Sequence, residues 1–393
     1  MKLVLKSTTF LWMGEGKGLL YNTENYSHLS FDIDNDDIEA CCRIWQNIDY
    51  LYVSHFDEKN AHPSFLSLAS RIESLGLGVI VEDNTSAIAL PPVLKIKHAV
   101  ENLHLWEGGM RAQPVLSNLM CLRVFLGGNT DGRDWWRQVL YPMSANQWLN
   151  VPHFCSFIRK CDFRTLTNIE LIVSEWDPAR IRDLIGFFSG TQLKDRVCVV
   201  FAHSDPGYIN DIIDDLSSSR VHILQVCPPG GEMSVSSWVP GRKYHLLIRC
   251  EDDYRRWNSL AANLSDKDYT LIPVAENNVD FFRANVFLSE EEILSQKLSK
   301  KDIFRHQALN ANQFGVLYIF PDGTVHSAPD APAVGTLEDS VHQVIIRELE
   351  ENHAWRKTRQ EMEPCRNCIY HDLCPSPTAY ERVLGVPACT VKS

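Results

Sequence analysis

Apolar and polar positions change period along the chain and divide it into three stretches. Residues 1–83 open with short alternating runs. Leu3-Val4-Leu5 through Phe10-Leu11-Trp12-Met13, then Gly18-Leu19-Leu20-Tyr21-Asn22-Thr23, then Leu29-Ser30-Phe31-Asp32-Ile33 predict three strands. Gly14-Glu15-Gly16 and Glu24-Asn25 join them and suit tight turns. Asn35 or Asp36 then caps a helix with Ile38, Cys41, Cys42 and Trp45 at helical spacing. A second helix runs from Pro63 to Leu75, closes at Gly76 and precedes the strand Gly78-Val79-Ile80-Val81. A small sheet followed by helices predicts a winged-helix-like α+β module.

Residues 84–311 alternate strands with helices. Leu119–Leu126, Ile169–Val173, Val197–Phe201, Val221–Val226, Tyr244–Ile248 and Tyr269–Val274 are short apolar runs, about 25 residues apart. Amphipathic stretches such as Pro178–Phe188 and Tyr208–Leu216 lie between them. This is the pattern of repeated βα units and a parallel sheet, so the fold class is α/β. Six units are too few for the eight-fold barrel; a partial (β/α)6 barrel and a doubly wound sheet both fit.

Residues 312–393 begin with a hairpin, Val316–Phe320 and Thr324-Val325-His326 around Pro321-Asp322-Gly323. A helix from about Glu338 to Glu363 follows, and Pro364 introduces a cysteine-rich end.

Charge and composition narrow the partners. Acidic residues outnumber basic ones 50 to 38, for a net charge of −12. An obligate nucleic-acid binder needs the opposite balance, although a local basic patch remains compatible. Nothing approaches the roughly 18 unbroken apolar residues of a membrane helix. The first residues carry Lys2, Lys6 and Glu15 where a signal peptide needs an uninterrupted apolar core. The expected location is the cytoplasm.

Twelve cysteines are many for such a chain. Eight are scattered (Cys41, Cys42, Cys121, Cys155, Cys161, Cys198, Cys227 and Cys250), most in apolar surroundings that favour buried thiols. The other four fall within the last 29 residues: Cys365-Arg366-Asn367-Cys368, five residues, Cys374, fourteen residues, Cys389. Two thiolates at C-x2-C can grip one centre from a single turn, and Pro375, Pro377, Gly385 and Pro387 let the chain fold back with the others. Four thiolates suit a tetrahedral zinc or a [4Fe–4S] cluster; a disulfide pair is the bland alternative. Structural zinc more often shows two C-x2-C knuckles, and one is present here, which favours the cluster.

These residues carry a resemblance. The βα middle, the Pro321-Asp322-Gly323 hairpin and the cysteine tail together resemble a radical SAM enzyme with a C-terminal SPASM domain. More closely, they are similar to the pseudo-radical-SAM proteins of Bacteroidales (GG-type) ribosomal peptide modification systems. Leu19–Thr23, Tyr318–Gly335, and Cys365–Cys389 with Cys374-Pro375-Ser376-Pro377 and Tyr380-Glu381 are its specific parts.

The resemblance implies that Cys365, Cys368, Cys374 and Cys389 hold the second auxiliary [4Fe–4S] cluster of the family. It also implies losses. The C-x3-C-x2-C motif that follows the first barrel strand in radical SAM enzymes is absent: Leu119–Leu126 runs into Gly127-Gly128-Asn129-Thr130-Asp131-Gly132. SAM cleavage is therefore not expected. Cysteines of the other auxiliary site are missing from Val325–Ala328 and Thr336–Val341, and Thr378 stands where another would be.

The first 83 residues resemble the recognition element of peptide-modifying enzymes, which adds a leader peptide as a further strand. That places Leu29, Phe31 and Ile33 at the peptide groove. The implied partners are a precursor peptide with its leader and a catalytic radical SAM maturase, with no nucleic acid and no membrane.

Other motifs are weaker. Gly14-x-Gly16-x-Gly18 misses the phosphate-loop spacing and is a hairpin turn. Asp131, Arg133 and Asp134 offer no nucleophile–base pair, and His203-Ser204-Asp205 lacks a nucleophile elbow. Trp45, Trp106 and Trp135-Trp136 mark either core or a partner surface. Glu348-Leu349-Glu350-Glu351 is expected on a solvated helix face. Two rival functions remain: an enzyme working at the barrel mouth without SAM cleavage, and a zinc-stapled interaction protein.

Overall fold

The computed structural model describes residues 1–93, 115–127, 147–162, 164–173, 177–201, 222–227, 242–261, 265 and 268–391. Trp106, the loop from Gly128 to Asp134, Trp135-Trp136, His203-Ser204-Asp205 and the Tyr208–Leu216 stretch lie outside these residues.

The first expected strand divides in two at Lys6. The Thr9 N–H bonds the Lys6 carbonyl at 2.9 Å, while the Lys6 N–H and the Thr9 hydroxyl both bond the Leu77 carbonyl. The pieces, β1 (Lys2–Leu5) and β2 (Thr9–Gly14), join different sheets. β2 pairs with β3 (Lys17–Asn22), and β3 with β4 (His28–Asp32), all antiparallel. Glu15 and Gly16 both have positive φ, 51° and 76°, the mirror-image turn that matches strand twist. β1 lies between β5 (Val53–His55), which the sequence reading lacked, and β6 (Gly78–Val81). The N-terminal region thus holds two three-stranded sheets where one was expected.

α1 (Asp36–Gln46) is capped by Asn35, whose side chain accepts from the Ile38 N–H at 3.0 Å. α2 (Pro63–Ser74) stops before Gly76, which takes the left-handed φ of 68°. Both helices bury their apolar faces with Leu3, Leu5, Leu20, Leu29 and Phe31, and Trp45 belongs to this core.

Six parallel strands follow: β7 (Cys121–Phe125), β8 (Asn168–Val173), β9 (Val197–Phe201), β10 (His222–Cys227), β11 (Lys243–Ile248) and β12 (Tyr269–Pro273). The order of these six in the sheet is sequential. α3 (Val151–Ile158) and α4 (Pro178–Ser189) bury Phe154, Phe157, Ile181 and Leu184 against one face; α5 (Glu251–Ala261) adds Trp257 beside Leu246 and Ile248. Phe125, Ile172, Val200, Val226, Leu247 and Val274 form an apolar layer on the other face.

The chain returns through α6 (Val279–Asn285), α7 (Glu290–Ser295) and α8 (Lys300–Ala308). β13 (Val316–Ile319) then pairs parallel with β7, and β14 (Thr324–His326) and β15 (Ala333–Thr336) extend it antiparallel, giving nine strands. The hairpin therefore continues the central sheet. The helix expected to reach Glu363 is α9 (Val341–Glu351); it ends at Asn352, in the left-handed region at φ 52°. Glu348 departs from its expected solvated face. It is buried, and its carboxylate accepts from the Ala354 and Trp355 N–H groups at 2.9 and 2.7 Å. The last helix, α10 (Ala379–Leu384), ends at Gly385, φ 67°. No helix among the described residues is long and apolar enough to cross a membrane.

Candidate metal centre

Cys365 opens a single 3-10 turn, and Cys368 closes it with its N–H on the Cys365 carbonyl at 3.0 Å. A second turn delivers Cys374, whose N–H bonds the Tyr370 carbonyl at 2.9 Å. The proline-rich path beyond it is pinned by the Ala311 N–H on Ser376 Oγ and by Asn312 Nδ2 on the Ser376 and Pro377 carbonyls. Cys389 returns as part of a parallel bridge with Leu288; the Leu288 N–H bonds the Ala388 carbonyl and the Thr390 N–H bonds the Leu288 carbonyl. Distant backbone thus brings the fourth cysteine to the first three.

Cys365, Cys368 and Cys389 line one cavity of about 150 Å³ with Pro364, Phe287 and Arg283. Cys374 lies close enough that the other three cysteines raise its proton affinity, after burial, which raises it most. Burial likewise pushes the Cys368 and Cys389 thiols up. A bound cation reverses that preference, because it requires thiolates.

Among the described residues no three His, Cys, Asp or Glu stand close enough to grip one metal ion. A tetrahedral zinc, with sulfur at about 2.3 Å, would draw all four thiols to a point. A four-iron cluster instead spreads its thiolates across its own width. Three thiols lining a small cavity, with Cys374 buried within electrostatic reach of them, fit the cluster.

Sequence reasoning missed Arg359. It is buried, its guanidinium is clamped by Glu381 at 2.7 Å, and it reaches Cys365 Sγ at 3.5 Å. Six residues before Cys365, it has no spacing signal; the one available hint is Thr378-x-x-Glu381, a capping-box pattern. Of the scattered cysteines, Cys41, Cys42, Cys155, Cys161 and Cys227 are buried, Cys121 and Cys198 are partly so, and Cys250 is exposed.

Leu29 and Phe31 are buried in the N-terminal core and Ile33 is half-buried, so the first two face away from solvent. β4 is nevertheless an edge strand. The Asn22 N–H bonds the Ser27 carbonyl and the Ile33 N–H bonds the Gly16 carbonyl, which sets the alternation of the ladder. In that phase Leu29 and Phe31 bond β3, while the backbone groups of His28, Ser30 and Asp32 face the outer edge. Among the described residues no backbone group pairs with them there, while the Ser30 side chain hydrogen-bonds Tyr370. Side chains 28, 30 and 32 are exposed.

The two regions are joined. Trp12 Nε1 donates to Asp372 Oδ2 at 2.7 Å, and Tyr21 OH donates to the Gln296 carbonyl at 2.9 Å. Phe10, Trp12, Leu19 and Tyr21 share one core with Ile369, Leu373 and Cys374. Beyond Cys368, a groove of about 760 Å³ runs between the β2–β3 turn and α7.

On the apolar-layered face of the central sheet, Arg123 Nε donates to Glu170 Oε2 at 2.8 Å, and Asn168 Nδ2 donates to Glu170 Oε1 at 2.9 Å. Arg123 also donates to Tyr318 OH at 3.0 Å. His245 lies within reach of this pair, with its pKa lowered to about 4, chiefly by burial.

No protein-family model and no curated protein matches the chain. Two crystal structures of Streptococcus suis SuiB align with it. The one bound to S-adenosylmethionine is 10% identical, with a TM-score of 0.41, covering 100% of this chain and 99% of that one. The second is 9% identical, with a TM-score of 0.33 and 99% of each chain covered. Similarity at this level carries no argument about fold or function.

Proposed function

We propose that the chain is a non-catalytic accessory protein in the maturation of a ribosomally made peptide. In this reading the sequential sheet is a degenerate radical SAM-type partial (β/α)6 barrel, flanked by a winged-helix-like module and a SPASM-like tail. Cys365, Cys368, Cys374 and Cys389 hold one [4Fe–4S] cluster, which supplies one-electron chemistry when bound. The observation that carries the reading is the convergence of Cys365, Cys368 and Cys389 on one cavity, with Cys374 within electrostatic reach of all three. The open edge of β4 accepts the leader as an added strand, through the backbone of His28, Ser30 and Asp32. Held there, the peptide is presented at high local concentration to a partner radical SAM maturase in the cytoplasm.

Iron, sulfide and zinc in anaerobically purified protein test the centre. About four irons and four sulfides per chain are expected; about one zinc without iron replaces the cluster with a structural ion. For the peptide edge, Ser30→Pro removes an outward N–H that an edge strand can spare. Calorimetry with the leader should show binding to the parent and none to S30P; equal affinity overturns the assignment of that edge.

A further inference from the structure

The tail holds a buried ion pair that the four-cysteine reading does not use. Arg359 is 6% exposed and Glu381 4%. Arg359 Nε donates to the Pro375 carbonyl at 2.5 Å, and its two terminal nitrogens to Glu381 at 2.7 and 3.3 Å. The nitrogen nearer Glu381 also points at Cys365 Sγ, 3.5 Å away. Glu381 is itself fixed by the Thr378 and Ala388 N–H groups at 2.8 and 2.9 Å.

A purely structural staple needs no such pair, since burying two charges costs desolvation that apolar neighbours avoid. The pair is also polarised: the guanidinium hydrogen-bonds a thiol, whereas the hydrogen bonds of Glu381 run to Arg359, Thr378 and Ala388. Hydrogen bonds and positive charge at the sulfurs of an iron–sulfur centre favour its more electron-rich state.

We infer that Arg359 is the positioning residue that sets the redox potential of the cysteine centre, aimed by Glu381 and donating to the sulfur of Cys365. The inference rests on the cluster reading above. The step it governs is the gain of one electron by the four-iron centre from a one-electron donor of the flavin or iron–sulfur class. No bond forms or breaks, and no proton moves.

The test uses the full-length protein, purified without oxygen, as the parent, Arg359→Gln, Glu381→Gln and the double variant. Iron is counted first; each sample is then titrated with dithionite, with absorbance and electron spin resonance read against potential. R359Q should show roughly a tenfold lower ratio of reduced to oxidised centre at fixed potential, a downward shift of about 59 mV for one electron. E381Q, which leaves the guanidinium less neutralised, should shift upward, and the double variant should return towards the parent. Opposite signs distinguish a charge effect from general loosening, which would move both variants the same way. If R359Q loses its iron, E381Q decides alone: an upward shift supports the inference and any other result overturns it. Iron-loaded variants that titrate like the parent overturn it while the cluster reading stands. A parent without iron overturns the cluster reading first, and the inference with it.

Discussion

Asp372 is a carboxylate at 1% exposure that gathers donors from three parts of the chain: Trp12 and Gln307 on one oxygen, Gln360 on the other. Asp372→Asn places an amide where donors converge and leaves buried N–H groups without an acceptor. Each such loss costs about 1–3 kcal/mol, so a total near 3 kcal/mol is expected by denaturant titration; a loss under about 1 kcal/mol would mean that these bonds contribute little. His245 governs an acid response. Burial lowers its pKa to about 4 against an ordinary 6.5, so the folded protein holds it neutral while the unfolded chain protonates it. Its contribution to stability is present above pH 6.5 and is lost as pH falls from 6.5 towards 4, by up to about 3 kcal/mol. Unfolding midpoints across that window should fall less steeply in His245→Gln than in the parent; parallel profiles would exclude His245 as the cause.

The β2–β3 hairpin shows the same dependence on remote partners at the level of an element. A Cβ on Gly14 would stand 1.9 Å from the Asn367 carbonyl oxygen, whereas one on Gly16 meets nothing within 4 Å but must adopt φ 76°. Gly16→Ala should cost about 1 kcal/mol of turn strain. Gly14→Ala should cost clearly more, because it drives the hairpin off the cysteine tail; equal unfolding midpoints for the two variants would show that the hairpin does not dock there. Elements of this kind divide what the sequence made legible from what it hid. The six parallel strands, the Asn35 cap and the C-x2-C turn are local, set by runs of apolar residues or by bonds within a few positions. The break at Lys6 depends on the Leu77 carbonyl, and the end of α9 on Asn352 with Trp355 packed beyond it. Alternation marked Leu29 and Phe31, expected at the peptide groove, but the fold buries both in the N-terminal core, and the free edge of β4 depends on which residues bond β3. Arg359 was invisible because its partners, Cys365, Pro375 and Glu381, are assembled by the fold of the tail.

For the molecule as a whole, the N-terminal sheet is a wall of the cysteine tail. Phe10, Trp12, Leu19 and Tyr21 cover Ile369, Leu373 and Cys374, across as many as 360 residues of chain. Deleting residues 1–83 should therefore remove more than the proposed peptide-binding edge. A chain of residues 84–393 is expected to retain less than half the metal of the full-length protein, measured as metal per chain after desalting; full retention would show that the tail closes without the N-terminal sheet. Loss of leader binding in that truncated chain would consequently say little about β4, whereas S30P keeps the apolar wall and gives up only the Ser30–Tyr370 hydrogen bond.

The Trp12–Asp372 bond also sets a timetable. A ribosome adding about 5–20 residues per second needs roughly 20–70 s to travel between these two residues. Until then the apolar face of β2 and β3 has only α7 and α8 to cover it, through Ile293, Ile303 and Phe304, and β7 waits likewise for β13, its neighbour in the finished sheet. The nascent chain thus emerges with two surfaces that close only as the later segments leave the tunnel.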